Sequence, residues 1–204
     1  MRDLIGETTV IVGGLAVLAR LSYPYRATVD LDVVDRMLGV RPHLEVLRSA
    51  AGAESVEPAA VLLPTPFGWV KVNVLEVRQV ELDQPSDDPG DRLHAWASDT
   101  APDMIIEVIR REGQQVEVLT RVAEPGPLVG MKLQAVMNRS ADKQGTDLLD
   151  IVRLTFDEDT RSTALGQIGS VANDVAGDIA LHVDLWFVRR RQAGAAVDSQ
   201  RRRR

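Results

Sequence analysis

Apolar, β-branched runs alternate with short helical patterns along the first 125 residues of the chain. Val10 and its neighbours form one such run, and the pair Gly13-Gly14 ends it as a turn would. Between residues 28 and 34, apolar and polar residues alternate, which is typical of a strand with one buried face. These patterns predict strands over residues 8–12, 28–34, 59–63, 69–77, 105–109 and 116–122. They predict helices over residues 15–21 and 42–51.

Proline, glycine and aspartate mark the connections between these elements. A turn is predicted at residues 64–68, between two of the strands. Residues 84–91 are rich in proline, aspartate and glycine and are predicted to form a loop. The last two strands are predicted to form a hairpin around Glu112-Gly113.

Helical spacing dominates from residue 126 onward, and helices are predicted over residues 126–139, 146–156 and 170–191. The apolar side of the second helix is predicted to consist of Leu149, Ile151, Val152 and Leu154. The chain is therefore predicted to be an α+β protein, with a mixed β-sheet flanked by helices and a helical C-terminal part. Its predicted divisions are an α/β core at 1–125, a helical part at 126–191 and a disordered basic tail at 192–204.

The composition argues against a disulfide-bonded, secreted or membrane-spanning protein. A chain of 204 residues buries enough surface to fold without disulfide bonds, and it contains no cysteine. We find no signal-peptide pattern and no apolar stretch long enough for a membrane span. A cytoplasmic protein that does not bind membranes is therefore expected.

The formal net charge of −6 is distributed unevenly. The last 16 residues carry seven arginines and one aspartate, which leaves 17 basic and 29 acidic residues in the rest of the chain. Such an acidic body is not typical of a general nucleic-acid binder. The arginine-rich end could contact RNA or phosphate groups, although a solvated, disordered terminus is the simpler expectation.

Two carboxylates lie two residues apart on the strand predicted at residues 28–34. The side chains of Asp30 and Asp32 therefore point to the same side, about 7 Å apart along the strand. Two negative charges so close on one face favour a cation beside them. Mg²⁺ (or Mn²⁺) prefers carboxylate oxygens and commonly bridges to substrate phosphates. The strand is thus a candidate metal site of a phosphoryl-transfer enzyme.

The element before this strand is suited to holding phosphates. Gly13 and Gly14 allow the backbone to approach a ligand closely, and the helix that follows offers N–H groups at its N-terminus. Arg26 adds a forked donor and Thr28 a hydroxyl near the acidic face. Each feature alone is common in proteins, whereas the ordered combination is rare.

At four places in order, the chain resembles the motifs of the AbiEii/AbiGii-type toxins. This nucleotidyltransferase family forms the toxin half of bacterial toxin–antitoxin and phage-defence pairs. The matching residues are Gly13-Gly14-Leu15-Ala16 with Arg26-Ala27-Thr28-Val29-Asp30-Leu31-Asp32, then Lys71-Val72-Asn73-Val74-Leu75, then Lys132, Ala135 and Arg139, and finally Asp147, Asp150, Ile151 and Leu154. The motifs span about 70% of the chain, and only the complete set is specific.

The resemblance implies a nucleotidyltransferase-like fold and transfer of a nucleoside monophosphate from a nucleoside triphosphate (NTP) to an acceptor. The 3′ end of tRNA is a candidate acceptor, and a cognate antitoxin protein a candidate partner. The implied catalytic residues are Asp30, Asp32, Lys132 and Asp147. The implied metal ligands are Asp30 and Asp32, which the carbonyl oxygen of Asn73 could join. The implied nucleotide-binding residues are Gly13, Gly14, Arg26, Thr28, Lys71 and Arg139.

Asn73 departs from the pattern, because nucleotidyltransferases usually carry a third carboxylate at this place. Its amide can coordinate a metal through the carbonyl oxygen but brings no charge. Glu76 is predicted to face the opposite side of the strand and so not to replace that carboxylate. Three functions stay open: a transferase with a weakened metal site, a catalytically silent nucleotide- or partner-binding protein, and a transferase that modifies a small molecule.

Most aromatic and histidine side chains are predicted to be structural. Trp69 and Phe67 lie near Lys71 and could stack on a base, but burial of Trp69 in the core is the stronger expectation. Trp186 and Phe187 are predicted to anchor the last helix to the body. Metal-ligand or triad spacing is not found among the histidines, which are His43, His94 and His182.

Overall fold

Seven strands form a single mixed sheet in the computed structural model, which describes residues 5, 9–83, 90–109, 113 and 115–189. The strands are β1 (Val10–Val12), β2 (Asp30–Asp35), β3 (Glu54–Glu57), β4 (Ala60–Thr65), β5 (Gly68–Glu76), β6 (Asp103–Ile109) and β7 (Gln115–Val122). Their order across the sheet is β3-β4-β5-β2-β1-β7-β6. The strands that carry the predicted site, β5 and β2, therefore lie side by side near the middle.

The register of the central strands brings predicted site residues to neighbouring positions. β2 runs parallel to β5 and pairs Asp30 with Lys71 and Asp32 with Asn73. β1 runs antiparallel to β2 and pairs its last residue, Val12, with Asp32. Since paired residues of a sheet point to the same face, these five side chains lie on one face.

Helices cover both faces of the sheet. They are α1 (Gly13–Arg20), α2 (His43–Arg48), α3 (Gln79–Asp83), α4 (Gly90–Asp99), α5 (Pro125–Asn138), α6 (Ala141–Phe156), α7 (Arg161–Ser170) and α8 (Asn173–Val183), followed by a π-helical turn at Asp184–Arg189. The larger core includes Leu93 of α4 and Leu128 of α5. On the other face, Leu47 of α2 packs with Val33 and Val72. Among the helices that the structure describes, none is long and apolar enough to cross a membrane.

The structure confirms the α+β class, the mixed sheet and the six predicted strands. Among the residues of those predicted strands, residue 8 lies outside the described part. The sequence pattern does not reveal β3, because all four of its residues are exposed and it lacks the alternation that burial of one face imposes. The predicted hairpin is the antiparallel pair β6 and β7. Residues 110–112 of its predicted turn lie outside the described residues.

The turn predicted at residues 64–68 is wrong in its length. β4 continues to Thr65 and β5 begins at Gly68, and these two residues pair with each other. The turn itself consists of Pro66 and Phe67, and the Phe67 N–H donates to the Thr65 hydroxyl (N–O distance 3.2 Å). Gly68 has a φ of 121°, a conformation that other residues rarely adopt, and so permits the short turn.

Three helical boundaries differ from the predictions. Gly90 and Asp91 already belong to α4 rather than to the predicted loop, of which residues 84–89 lie outside the described part. α6 begins at Ala141, five residues earlier than predicted. The last helix, predicted over 170–191, is divided into α8 and the π-helical turn, and residue 170 instead ends the separate helix α7. Val171 and Ala172 have extended ψ angles of 158° and 148°, which end one helix before the next begins. Residues 190–191 and the predicted tail lie outside the described part.

The buried face of α6 also differs from the predicted one. Ile151 and Leu154 are buried as predicted, whereas Leu149 and Val152 are each 43% exposed. The two aspartates of the fourth motif occupy the buried face instead. An apolar pattern cannot show this, because the helix turns charged residues toward the core.

Candidate active site

A polar cavity of about 480 Å³ opens at the face of the sheet that carries the two aspartates of β2. Ten residues that the sequence predicts for the site line it, namely Gly14, Arg26, Thr28, Asp30, Asp32, Lys71, Asn73, Lys132, Arg139 and Asp147. Four further residues in its wall are not predicted, namely Glu57, Ser140, Lys143 and Thr146. The remaining predicted residue, Gly13, lines an adjoining cavity. The fold thus brings together residues that lie more than 100 positions apart in the sequence.

Asn73 contacts one of the two carboxylates directly. Its Nδ2 donates a hydrogen bond to Oδ1 of Asp32 at 2.7 Å. The amide nitrogen therefore faces the carboxylate, so Asn73 orients Asp32 rather than placing a ligand oxygen against it. On the neighbouring turn of chain, the Thr28 hydroxyl donates to the backbone carbonyl of Asp30 at 3.3 Å. Asp32 is thus oriented through its side chain, whereas Asp30 is held through its backbone.

The oxygen donors in the cavity fit one divalent cation. Asp30 and Asp32 both line the cavity from one strand, and Mg²⁺ prefers such carboxylate oxygens while keeping several waters. Within the part of the chain that the structure describes, no group of three or more acidic, histidine or cysteine side chains is arranged to hold a metal. Asp30 and Asp32 are therefore the described residues whose carboxylates could hold a divalent cation in this cavity.

The glycine turn after β1 packs against the side chains of the site. Gly13 has a φ of 65°, and a Cβ atom added there would lie 1.9 Å from Oδ2 of Asp32. A Cβ added at Gly14 would lie 2.9 Å from Nη2 of Arg26 and 3.1 Å from Oγ1 of Thr28. Both glycines are therefore needed for the close approach of these side chains, whichever ligand the turn contacts.

Two buried carboxylates and a buried lysine join α5 to α6 beneath the cavity. Nζ of Lys132 lies 2.6 Å from Oδ1 of Asp147 and 2.8 Å from Oδ2 of Asp150. Lys132 is 6% exposed, and both aspartates are fully buried. Because an unpaired buried charge is costly, each of these groups fixes the position of the others.

Asp150 also holds the loop that leads into β2. Nη2 of Arg26 lies 2.9 Å from Oδ2 of Asp150, and the Tyr25 hydroxyl donates a short hydrogen bond to Oδ1. Burial would raise the pKa of Asp150, but Arg26, Lys132 and Tyr25 together outweigh it and hold the pKa below its ordinary value. Burial, and then the hydrogen bond to Asp150, raise the pKa of the Tyr25 hydroxyl. Asp150 is thus a carboxylate at neutral pH with three donors around it.

Arg139 and Lys132 meet on the carboxylate of Asp147. Nε of Arg139 lies 3.4 Å from Oδ2 of Asp147, while the other oxygen contacts Lys132. Arg139 follows Asn138, the last residue of α5, with an extended ψ of 156°, so it reaches Asp147 from the end of the helix rather than from the predicted shared helical face. Oδ2 of Asp147 is buried and has no hydrogen-bond partner among the described residues. The Arg139 guanidinium could therefore move to a ligand without breaking a hydrogen bond to Asp147.

Lys71 places a positive charge beside the two aspartates of β2. Its Nζ lies 2.6 Å from Oε1 of Glu57 on β3. The hydrogen bond that Lys71 donates to Glu57 raises the pKa of Lys71, and the charges of Glu57, Asp30 and Asp32 add to this effect although burial opposes it. Lys71 is therefore a cation at neutral pH and lowers the repulsion between the two carboxylates.

Basic and acidic groups in the cavity wall nearly balance. The basic residues are Arg26, Lys71, Lys132, Arg139 and Lys143. The acidic residues are Asp30, Asp32, Glu57 and Asp147. One bound divalent cation would make the cavity strongly positive, which suits a polyanion such as a triphosphate.

Sequence reasoning assigned no role to several residues that shape this site. Asp150 lies three residues after Asp147, so helical spacing alone could have placed both on one buried face. Lys143 follows Arg139 by four residues, but a helix boundary separates them. Tyr25 and Glu57 carry no recognisable signal, because their contacts depend on how distant segments pack.

The aromatic residues follow the predictions only in part. Trp69 is 55% exposed, so its predicted burial in the core is wrong. It lies near the start of β5, on the same strand face as Lys71. Trp186 is buried in the larger core as predicted, whereas Phe187 is 41% exposed and does not anchor the helix.

The histidines are distributed over three separate places. His43 is buried, and its backbone N–H donates to Oδ2 of Asp35 at 2.7 Å. His182 is buried with Nδ1 2.6 Å from the carbonyl oxygen of Asp178. His94 lines the cavity that adjoins the candidate site.

No protein-family model matches the chain, and no curated protein matches it either. Among solved structures, the chain is similar to an antigenic nucleotidyltransferase-like protein from Paracoccidioides brasiliensis, with 20% identity over 88% of this chain and 87% of that chain and a TM-score of 0.45. It is also similar to the antibiotic-resistance factor ANT(2'')-Ia, with 13% identity over 100% of this chain and 92% of that chain and a TM-score of 0.41. Both likenesses are distant, so the chemistry has to be inferred from this chain's own residues.

Proposed function

We propose that the chain is a nucleotidyltransferase, which moves a nucleoside monophosphate from an NTP to an acceptor, with Mg²⁺ (or Mn²⁺) held by Asp30 and Asp32. The observation that supports this most is the make-up of the polar cavity. Two carboxylates of one strand face it together with basic side chains from separate parts of the chain. A divalent cation and a polyanion are the ligands that such a wall attracts, and an NTP bound with Mg²⁺ combines both.

The basic residues differ in what they can do for the phosphates. When bound, Mg²⁺ would neutralise phosphate charge and polarise the reacting phosphorus. Arg26 is held by Asp150 through Nε and Nη2, so it offers the phosphates a fixed positive charge, and Lys71 and Lys143 offer single charges. Lys132 already pairs with two buried carboxylates, so its proposed task is to hold Asp147 and to keep α5 positioned over the ligand.

The proposed reaction is an in-line displacement at phosphorus. An acceptor hydroxyl oxygen forms a bond to the α-phosphorus, while the bond from that phosphorus to the α–β bridging oxygen breaks. Pyrophosphate leaves, and the proton of the acceptor passes to water. Arg26 and Arg139, which line the cavity, would stabilise the charge that develops on the leaving group.

The biological role that we propose follows from the resemblance of the four ordered motifs. The chain would be a cytoplasmic toxin of a toxin–antitoxin or phage-defence pair, with the 3′ end of tRNA as acceptor and an antitoxin protein as partner. Support for an RNA acceptor comes from the basic side chains at the cavity, whereas the acidic body of the chain favours a small-molecule acceptor. The transfer assay described below separates these acceptors.

One contact favours a second function, that of a catalytically silent nucleotide- or partner-binding protein. The Asn73 amide occupies Oδ1 of Asp32, an oxygen that a metal would otherwise use. A site with two carboxylates also binds Mg²⁺ less strongly than a site with three. Such a protein would bind an NTP in the same cavity without transferring it.

Changing Asn73→Asp is expected to strengthen Mg²⁺ binding roughly tenfold, because it adds the third carboxylate and removes the amide from Asp32. In EDTA the same change is expected to lower the free energy of unfolding by about 1 kcal/mol, because three carboxylates then repel one another. Titration with Mg²⁺, followed by calorimetry and by thermal unfolding, measures both effects. Asn173→Asp, which adds the same charge at the exposed start of α8, serves as the control. Equal Mg²⁺ affinity in wild type and Asn73→Asp would contradict a metal site at this place.

The proposed function is tested by incubating the chain with each labelled NTP and Mg²⁺, in the presence of total tRNA or of a panel of small hydroxyl-bearing acceptors. Labelled tRNA is the expected product, and a labelled small molecule would support the small-molecule transferase instead. Tight binding of Mg-NTP without any labelled product would support the silent protein.

The variants Asp30→Ala and Asp32→Ala are expected to remove the Mg²⁺-dependent part of both binding and transfer. Asp103→Ala, which removes an exposed strand carboxylate outside the cavity, is the matched control and should behave as wild type. If Asp30→Ala and Asp32→Ala bind and transfer as wild type does, the proposed site is wrong.

A further inference from the structure

The cavity that adjoins the candidate active site is mostly apolar. It has a volume of about 290 Å³ and lies between the sheet and α5. Leu128, Met131 and Ala135 line it from one face of α5, and Leu75 of β5 lines it from the sheet. The reaction proposed above uses none of these side chains.

The two cavities meet at Asp32, while Asp30 lines the polar cavity but not the apolar one. They share Asp32, Lys132 and Arg139 as wall residues. They also divide the glycine turn, because Gly13 lines the apolar cavity and Gly14 the polar one. A ligand that fills both cavities must therefore have a polyanionic end and an apolar end, joined beside Asp32.

We propose that the apolar cavity binds the base and sugar of the same NTP whose phosphates occupy the polar cavity. This inference rests on the proposed nucleotidyltransferase function. In an NTP the α-phosphate joins the nucleoside to the other phosphates, and it is also the group that reacts. A nucleotide lying across both cavities would thus have its α-phosphate beside Asp32, where the metal is proposed.

The lining of the apolar cavity suits a flat heteroaromatic ring. Apolar side chains form much of its wall, polar groups come from His94 and Gln134, and the charged residues are the three that it shares with the polar cavity. Small-molecule pockets commonly combine an apolar wall with a few polar groups in this way. Met131 is unbranched and can adapt its shape to a ring face. The competing occupant is the acceptor, and binding measurements without any acceptor separate the two.

The test compares two ligands that differ only by the nucleoside. Calorimetry measures the Kd of each Mg-NTP and of Mg-tripolyphosphate for wild type and for Met131→Trp, a change that fills the apolar cavity. Wild type is expected to bind its preferred NTP at least about tenfold more tightly than tripolyphosphate. Met131→Trp is expected to weaken NTP binding at least about tenfold and to change tripolyphosphate binding less than about twofold.

A second variant and a control separate cavity filling from damage to the fold. Ala135→Leu fills the same cavity with a smaller change and should weaken NTP binding in the same selective way. Leu149→Trp introduces a tryptophan at an exposed position of α6 that lines neither cavity, and should leave both Kd values unchanged.

Three results would overturn the inference while leaving the proposed function intact. The first is equal affinity of wild type for tripolyphosphate and for every NTP. The second is an equal loss of affinity for NTP and for tripolyphosphate in Met131→Trp and Ala135→Leu. The third is unchanged affinity for NTP in both variants, which would indicate that the acceptor occupies this cavity. If wild type binds neither tripolyphosphate nor any NTP, the proposed function itself fails, and the inference fails with it.

Discussion

Replacing Asp150 with alanine is expected to lower the free energy of unfolding by about 3–5 kcal/mol, because it leaves Arg26 without its buried partner and Lys132 with Asp147 as its one remaining carboxylate. Asp150→Asn keeps the shape of the side chain but not its charge, and should lower the free energy of unfolding by a smaller amount, about 1.5–3 kcal/mol. Urea denaturation at pH 7 measures both losses. Since Arg26 also lines the polar cavity, both variants should weaken tripolyphosphate binding as well.

The pH dependence of this loss has a definite sign. The pKa of Asp150 is lower in the folded chain than its ordinary value, which applies to the unfolded chain. Its contribution to stability is therefore complete above about pH 4 and is lost as the pH falls through the lower, folded value. The difference in unfolding free energy between wild type and Asp150→Asn should be largest at neutral pH and shrink below about pH 4.

The matched control for Asp150 is Glu158→Ala, which removes an exposed acid just beyond the end of the same helix and should change stability by less than about 0.5 kcal/mol. A loss of less than about 1 kcal/mol in Asp150→Ala would show that the ion network adds little to stability. An unfolding difference that grows below about pH 4 would contradict the assigned direction of the pKa shift.

Changing Gly13→Ala is expected to reduce nucleotidyl transfer about 100-fold or more, because the new methyl group must displace Asp32 from the position it now holds. The added Cβ would lie 1.9 Å from Oδ2 and 2.7 Å from Cγ of Asp32, so rotation of the carboxylate alone cannot relieve the clash. The φ of 65° adds the strain of a left-handed alanine. Together these effects should lower the free energy of unfolding by about 2–4 kcal/mol.

A double-mutant cycle separates the two causes. In the Asp32→Ala background the carboxylate is absent, so Gly13→Ala should lower the free energy of unfolding by less than it does in wild type, and the remaining loss reflects the backbone strain and the 2.8 Å contact with Cβ of residue 32. Gly166→Ala is the control, because a Cβ at this helical glycine meets no atom within 4 Å and should slightly stabilise the chain. If Gly13→Ala lowers the free energy of unfolding equally in both backgrounds, the contact with Asp32 is not the cause of that loss.

Local patterns were sufficient for most of the sheet and for the acidic strand. Alternation of apolar and polar residues predicted β2 and its two aspartates on one face, and the glycine pair predicted the end of β1, although α1 begins at Gly13 itself and not at the predicted residue 15. Elements that lack apolar residues on one face were not predicted. β3 is exposed throughout, and α7 follows α6 without the strong apolar period that would mark a separate helix.

The site could be predicted as a set of residues but not as an arrangement. The spacing of Lys132 and Arg139 predicted one shared helical face, but Arg139 follows the last residue of α5 in an extended conformation, and both residues contact Asp147. That Lys132 is buried between two carboxylates, and that Asp150 also holds Arg26, depends on how α5, α6 and the loop before β2 pack together. No spacing within one segment contains that information.

The sequence by itself determined the candidate chemistry: two carboxylates at strand spacing, a glycine turn, basic residues, and asparagine in place of a third acid. The tertiary structure alone decided that the Asn73 amide faces Asp32, that Gly13 leaves room for that carboxylate, and that an apolar cavity joins the polar one at the same residue. The physical reason is the range of the interactions. The periodic patterns that predict helices and strands depend on a few neighbouring residues. The hydrogen bonds, ion pairs and cavities of the site form between segments that only the packed fold brings together.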